Sequence, residues 1–254
     1  MKNPILALAG LLFMATCCFA QNQFEVLVLS IPDKYHYEYI PIARKSFEEM
    51  ARQHQFQLKW TNDPHVFDGE LKNYAAIVFL NTTGEVLSDT QRQKFRDFVQ
   101  QGGGVMLVHA ATATTQKWDW YDRLVGRFFR KHPYIQTGVI YKADPCFPAT
   151  FSLPDRWVWS DEWYEYDAPL SKDLHVVLKV DEATYDPTRI WPGQHSEGMG
   201  ADHPVAWYHH FEGARVFATA LGHLTECYAD KVYLDHLYGG LWWVATGKGI
   251  AAKP

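Results

Sequence analysis

The chain has 254 residues, of which 47% are hydrophobic and 21% charged, with a formal net charge of −5. That length suits one large α/β domain with a substantial core, and no Ser/Gly/Pro linker, low-complexity tract or internal repeat divides it. The mild negative charge and the lack of any Lys/Arg cluster argue against nucleic acid as a partner. Ten Trp and fourteen Tyr are present; aromatic rings with a polar tip suit carbohydrate faces as well as cores and interfaces.

Residues 1–20 read as a secretory signal peptide outside the fold. Met1-Lys2 supplies a positive start, 5–19 are apolar, and Cys18-Phe19-Ala20 offers small residues for cleavage. The apolar run is too short to suit a membrane span, so no transmembrane segment is expected. The folded domain then occupies 21–254 and the compartment is the periplasm. A lipid-modified Cys17 or Cys18 is the competing outcome, against which Phe13-Met14-Ala15-Thr16 makes a poor lipobox. Cys146 and Cys227 remain after cleavage. Two cysteines make no disulfide framework; they are free to pair in an oxidising compartment, with buried thiols the preferred reading.

In chain order, 24–30 is a first strand, followed by a loop carrying His36 between Tyr35 and Tyr37. Pro41 suits the first turn of a helix in which Ala43, Phe47, Met50 and Ala51 recur at helical spacing, ending near His54. Short strands at 56–60 and 75–80 follow. Ser88 and Gln91 form a capping box ahead of a helix whose Phe95, Phe98 and Val99 share a face, and Gly102 ends it in left-handed fashion. The run Gly104-Val105-Met106-Leu107-Val108-His109 is a short, wholly apolar strand closed by an imidazole, the pattern of a strand buried on both faces of a parallel sheet. This rhythm is that of a doubly wound α/β fold, in which ligands sit outside the carboxyl ends of the strands.

Beyond His109, residues 118–130 are helical in period and end at His132-Pro133. A strand is expected at 138–142. Residues 144–204 hold seven of the chain's thirteen prolines and read as a loop-rich insertion, which at that length inside a domain is usually functional. Strands at 204–209 and 215–221 lead to Gly222-His223, and a closing helix over 230–246 ends at Gly247.

His36, His109 and His223 follow three apolar strands, which converge if those strands are neighbours. Any one of the twelve histidines is most simply a loop or core residue; the set points to a shared site able to carry protons near neutral pH. Asp161-Glu162-Trp163-Tyr164-Glu165 puts acids among aromatic rings, where a carboxyl raised in pKa can act as proton donor or base. His and Glu are also ordinary ligands of zinc, so a divalent metal stays open, although no His-x-x-x-His or His-Glu-x-x-His spacing appears. No Ser or Cys follows the central strand at an elbow; Ala110-Ala111 stand there, with Thr112, Thr114 and Thr115 as weak substitutes. No Walker A loop or Gly-x-Gly-x-x-Gly follows the first strand, which argues against a nucleotide cofactor.

The succession of these motifs resembles the ThuA-like (trehalose utilisation) family. The matching residues are Tyr35-His36-Tyr37, Gly102-Gly103-Gly104-Val105 through Val108-His109-Ala110-Ala111, the 124–129 segment with His132, Asp161-Glu162-Trp163-Tyr164, Pro204-Val205-Ala206-Trp207, Arg215-Val216-Phe217 and Leu221-Gly222-His223. Two departures stand out: Phe147-Pro148 where many relatives have His-Pro, and Glu212-Gly213-Ala214 with one glycine fewer. The resemblance implies a flavodoxin-like, class I glutamine amidotransferase-like sheet, mostly parallel, that lacks the amidotransferase cysteine. It further implies His36, His109, Glu162 and His223 as the catalytic set, with Tyr37, His132, Asp161, Trp163 and Trp207 around the substrate. The implied partners are a small sugar substrate and a sugar dehydrogenase that oxidises a glycoside at C3; homo-oligomerisation stays open. A 3-keto group acidifies the C2 proton, so His/Glu acid–base chemistry (elimination and hydration, or hydrolysis) fits a site without a nucleophile. The competing readings are a sugar-binding protein without activity and a metal-assisted hydrolase.

Overall fold

The computed structural model describes residues 22–113 and 117–252; the expected leader, lipidation at Cys17 or Cys18, and Thr114 and Thr115 lie outside the described residues. The elements in order are β1 (Glu25–Leu29), α1 (Ile40–His54), β2 (Gln57–Thr61), β3 (Ala76–Leu80), α2 (Asp89–Gln100), β4 (Gly104–Val108), α3 (Asp119–Val125) and β5 (Phe129–Lys131). There follow β6 (Gln136–Lys142), β7 (Arg156–Asp161), β8 (Glu165–Tyr166), β9 (His175–Asp181), β10 (Pro204–Phe211), β11 (Ala214–Thr219) and α4 (Lys231–Thr246).

Nine strands form one sheet in the order β2-β1-β3-β4-β11-β10-β9-β6-β7, and β5 and β8 pair separately. From β2 to β11 every pairing is parallel, in the flavodoxin-like order whose direction reverses between β1 and β3. From β11 to β7 every pairing is antiparallel. The α/β, amidotransferase-like class expected from the sequence therefore holds. Much of the supposed loop-rich insertion serves to extend the sheet through β7 and β9.

Residues alternate across the strands to two cores. Val26, Val28, Val78, Met106 and Val108 pack with Phe47 of α1 and Leu241 and Val244 of α4. Leu27, Ile77, Phe79, Val105 and Leu107 pack with Phe95 and Phe98 of α2 and Leu124 of α3. Each such fully buried aliphatic contributes about 1.5–3 kcal/mol. Both halves of the Ser88/Gln91 capping box are formed. Gly104 is required where β4 meets α4, because a Cβ there would lie 2.3 Å from the Val244 carbonyl oxygen.

One element differs from expectation. The helix read over 118–130 stops at Val125, because Gly126 takes a left-handed φ of 87° and its N–H caps Asp122. The chain then turns into β5. Periodicity alone missed this, since Phe128 continues the helical spacing past the glycine. Cys146 and Cys227 are free and buried, as preferred from the sequence. Among the described residues no helix is long and apolar enough to cross a membrane.

Candidate active site

Three histidines meet at the carboxyl ends of the parallel strands. His36 stands in the loop after β1, His109 directly after β4, and His223 four residues after β11. His36, His109 and His223 form a triangle with every pair of ring centroids 5.2 Å apart. Glu162, in the extended link between β7 and β8, closes the group: its Oε2 lies 3.5 Å from His109 Nε2 and 3.3 Å from His223 Nδ1. One ligating atom from each of the four residues falls within 4.8 Å of the others.

Each ring is oriented from behind. His109 sits at a strand-ending turn with φ of 50°, a left-handed conformation uncommon for a residue with a Cβ and characteristic of functional turns. Its Nδ1 donates to the Ala220 carbonyl at 2.7 Å, which turns Nε2 inward, 3.0 Å from the Tyr164 hydroxyl and 3.2 Å from His223 Nδ1. The His36 Nδ1 donates to Asp33 Oδ2 at 3.1 Å. Asp33 also accepts the Thr83 hydroxyl at 2.5 Å and the His36 backbone N–H at 2.7 Å. His36 Nε2 is buried and has no hydrogen-bond partner among the described residues. Asp161 works beneath the cluster: its carboxylate accepts the backbone N–H groups of Gly222 at 2.8 Å and His223 at 3.1 Å, holding the His223 turn in place.

The charges follow from these contacts. Burial would raise Glu162, but His109 and the neighbouring His132 and His223 outweigh it and bring the carboxyl down to about 2. Burial, then His109, pushes His223 down to about 4 and His36 down as well. His109 moves up, because Glu162 and Asp161 outweigh its burial. The cluster therefore pairs an ionised glutamate with two imidazoles shifted towards the neutral form, and His109 is the imidazole whose proton the two carboxyl groups favour. Burial raises Asp161. Of the two adjacent acids, then, the one with an elevated pKa lies under the site, and the one facing the site is ionised.

Above the cluster opens a cavity of about 500 Å³ with His36, Glu162, His223 and His132 in its lining and Tyr35, Phe129, Tyr164 and Trp191 as its aromatic walls. His132, expected near the substrate, is there; its Nδ1 is 3.0 Å from the Pro133 carbonyl oxygen and 3.7 Å from Glu162 Oε1. Four expected substrate contacts are placed elsewhere. Tyr37 is 54% exposed, outside the cavity, with its hydroxyl on Glu38; its neighbour Tyr35 is the ring that lines the cavity. Trp163 and Trp207 are 0% exposed core residues, the first tilted against Tyr185, the second donating to the Val125 carbonyl. Asp161 supports the site from below. The 161–164 stretch shows why: in an extended link successive side chains point to opposite sides. Glu162 and Tyr164 face the cavity, whereas Asp161 and Trp163 face inward. That alternation was readable and would have selected Tyr164. Asp33 has a local signal in the Asp33-x-x-His36 spacing, whereas Thr83, fifty residues away in sequence, has none, and Trp191 has no signal beyond its lying in the insertion.

The model of the trehalose utilisation (ThuA) family matches residues 25–244. The chain is a member of the ThuA family. A ThuA-like protein of Bacteroides uniformis has a similar structure, with 22% identity, 89% of this chain and 92% of that chain covered, and a TM-score of 0.73. A ThuA-like protein of Parabacteroides merdae matches with 19% identity over 91% and 93% of the two chains and the same TM-score. A cytoplasmic protein of Salmonella typhimurium shares the fold at 11% identity, covering 86% and 98%, with a TM-score of 0.59. No curated protein matches. Membership of the ThuA family ties the chain to carbohydrate utilisation, and Ala110-Ala111 after His109 leave this member without the amidotransferase thiol.

Proposed function

We propose that this protein is a carbohydrate-processing enzyme that acts on a glycoside or 3-keto-glycoside at the His36–His109–Glu162–His223 centre, and that the centre works with a bound divalent cation, zinc by its donor set. Two observations carry this reading: His36 Nε2 is buried without a hydrogen-bond partner among the described residues, and His36 belongs to a group of four residues whose ligating atoms all lie within 4.8 Å of one another. A buried imidazole nitrogen without a partner is costly, and a cation would satisfy it. The donor set fits: burial shifts His36 and His223 towards the neutral form, Glu162 is ionised, and His109, with Nδ1 on the Ala220 carbonyl, turns Nε2 towards the cluster. Asp33 behind His36 and the Ala220 carbonyl behind His109 are the outer partners that orient ligating imidazoles.

When bound, such an ion polarises a carbonyl or acidifies a water. The chain's own groups do the rest. His132 is the cavity imidazole outside the four-residue cluster; with Nδ1–H on Pro133, its Nε2 is left as the base. In a 3-keto-glycoside it takes the C2 proton, the electron pair forms the C1–C2 double bond, and the glycosidic oxygen leaves with a proton from the Tyr164 hydroxyl. Addition of water across that double bond completes the release of the free keto-sugar. The signal-peptide-like pattern of residues 1–20 supports a periplasmic location for this chemistry.

The test is turnover of purified protein on a panel of 3-keto-glycosides, read by mass spectrometry, with metal content by elemental analysis. About one divalent ion per chain, loss of activity on chelation, and a drop of about a thousandfold for His109→Ala, equivalent to about 4 kcal/mol of transition-state stabilisation, are expected. Wild-type rates in His109→Ala and Glu162→Gln, or binding with no turnover, overturn the enzyme reading. Full activity without metal overturns the cation.

A further inference from the structure

We propose that Trp191 is the stacking plate of the cavity, holding one pyranose ring by its C–H face beside His132 and Glu162. This rests on the carbohydrate reading above and adds the residue that recognises the ring.

Trp191 lies in the strandless stretch between β9 and β10, a segment that is nonetheless tied down. Glu182 accepts the backbone N–H groups of Met199 at 2.7 Å and Gly200 at 2.8 Å. The Tyr134 N–H bonds the Arg189 carbonyl at 2.9 Å, and Lys131 Nζ bonds the His195 carbonyl. A turn closed by Gln194 N–H on the Trp191 carbonyl, 3.0 Å, then presents the indole. At 37% exposure it is unlike Trp163, Trp207 and Trp243, which fill the cores. Its plane is set by His132, edge-on at 5.0 Å and 85°, and by Tyr134 at 4.7 Å and 49°. A large ring held still and left partly open to a cavity offers apolar area at little entropic cost. Neither the indole N–H nor the Gln194 side-chain amide has a hydrogen-bond partner among the described residues, so both are free for ring hydroxyls.

The placement suits the chemistry. His132 touches Trp191 on one side and lies 3.7 Å from Glu162 on the other. A sugar ring laid on the indole thus lies beside His132, the base that takes its C2 proton, in the cavity that Tyr164 also lines.

The experiment is calorimetry of the wild-type protein, Trp191→Ala and Trp191→Phe against methyl β-D-glucopyranoside, trehalose and the open-chain polyol sorbitol. The glycosides are unoxidised and do not turn over by the proposed route. Trp191→Ala is expected to weaken glycoside binding about tenfold, Trp191→Phe to restore most of it, and sorbitol to bind no better to wild type than to Trp191→Ala. Equal glycoside affinity in wild type and Trp191→Ala overturns the plate while leaving the catalytic centre untouched. If neither glycoside binds the wild type, the plate falls together with the carbohydrate reading. Weakened binding in Trp191→Ala alongside a wild type that turns over no 3-keto-glycoside keeps the plate and removes the enzyme.

Discussion

Strands β3 and β4 are buried at every position, whereas β6 and β7 mix buried with exposed residues along their length. The same nine-stranded sheet is thus a double-covered parallel layer at one side and a partly open antiparallel layer at the other. The covered side supplies His36, His109 and His223 from the ends of its strands. The open side supplies Glu162 and, from the link between β9 and β10, Trp191. The cluster thus joins the two halves: three imidazoles from the ends of doubly covered strands meet one carboxylate from the open side, and both halves contribute to the cavity lining.

The comparison breaks if the two halves respond alike to substitution. The largest effect on stability is expected for Gly104→Ala in the covered half. The new methyl group would meet the Val244 backbone at 2.3 Å, and overpacking of this kind costs about 3 kcal/mol, measurable as a lower urea midpoint at unchanged slope. A second effect comes from His236 of α4, buried between the Ala149 carbonyl and the Thr219 hydroxyl. Burial lowers its folded-state pKa from 6.5 to about 4. Between those values the unfolded chain binds the proton and the folded chain does not, so stability is highest above pH 6.5 and falls as pH drops towards 4. The loss from pH 7 to pH 5 is expected to be about 2 kcal/mol from this group, and His236→Gln should remove that share of the slope. An unfolding free energy that is flat over this range in the wild type would sink the assignment. The smallest effect belongs to the open half: Val158 on edge strand β7 is 67% exposed, and Val158→Thr should change stability by less than about 0.5 kcal/mol.

How much of this was legible depended on the range of the interaction concerned. The capping box of α2, the apolar run of β4 and the His109 that ends it are local patterns, and they were read correctly. The end of α3 was misplaced because Gly126 interrupts a periodicity that Phe128 carries onward. Trp163 and Trp207 were expected at the substrate, because a tryptophan in a core and a tryptophan in a wall look the same in one dimension. Trp191 shows the converse: its place in the cavity wall rests on tethers of its segment from Glu182, Tyr134 and Lys131 that no sequence window contains.

From its sequence alone this protein is an α/β chain whose strands end in histidines, because burial on both faces demands continuous apolar runs and the polar residues fall where those runs stop. Which imidazoles share a centre, which of two adjacent acids reaches it, and which indole faces the cavity were decided only in three dimensions. They depend on strand order, on the alternation of an extended link and on long-range hydrogen bonds, none of which is expressed in neighbouring residues.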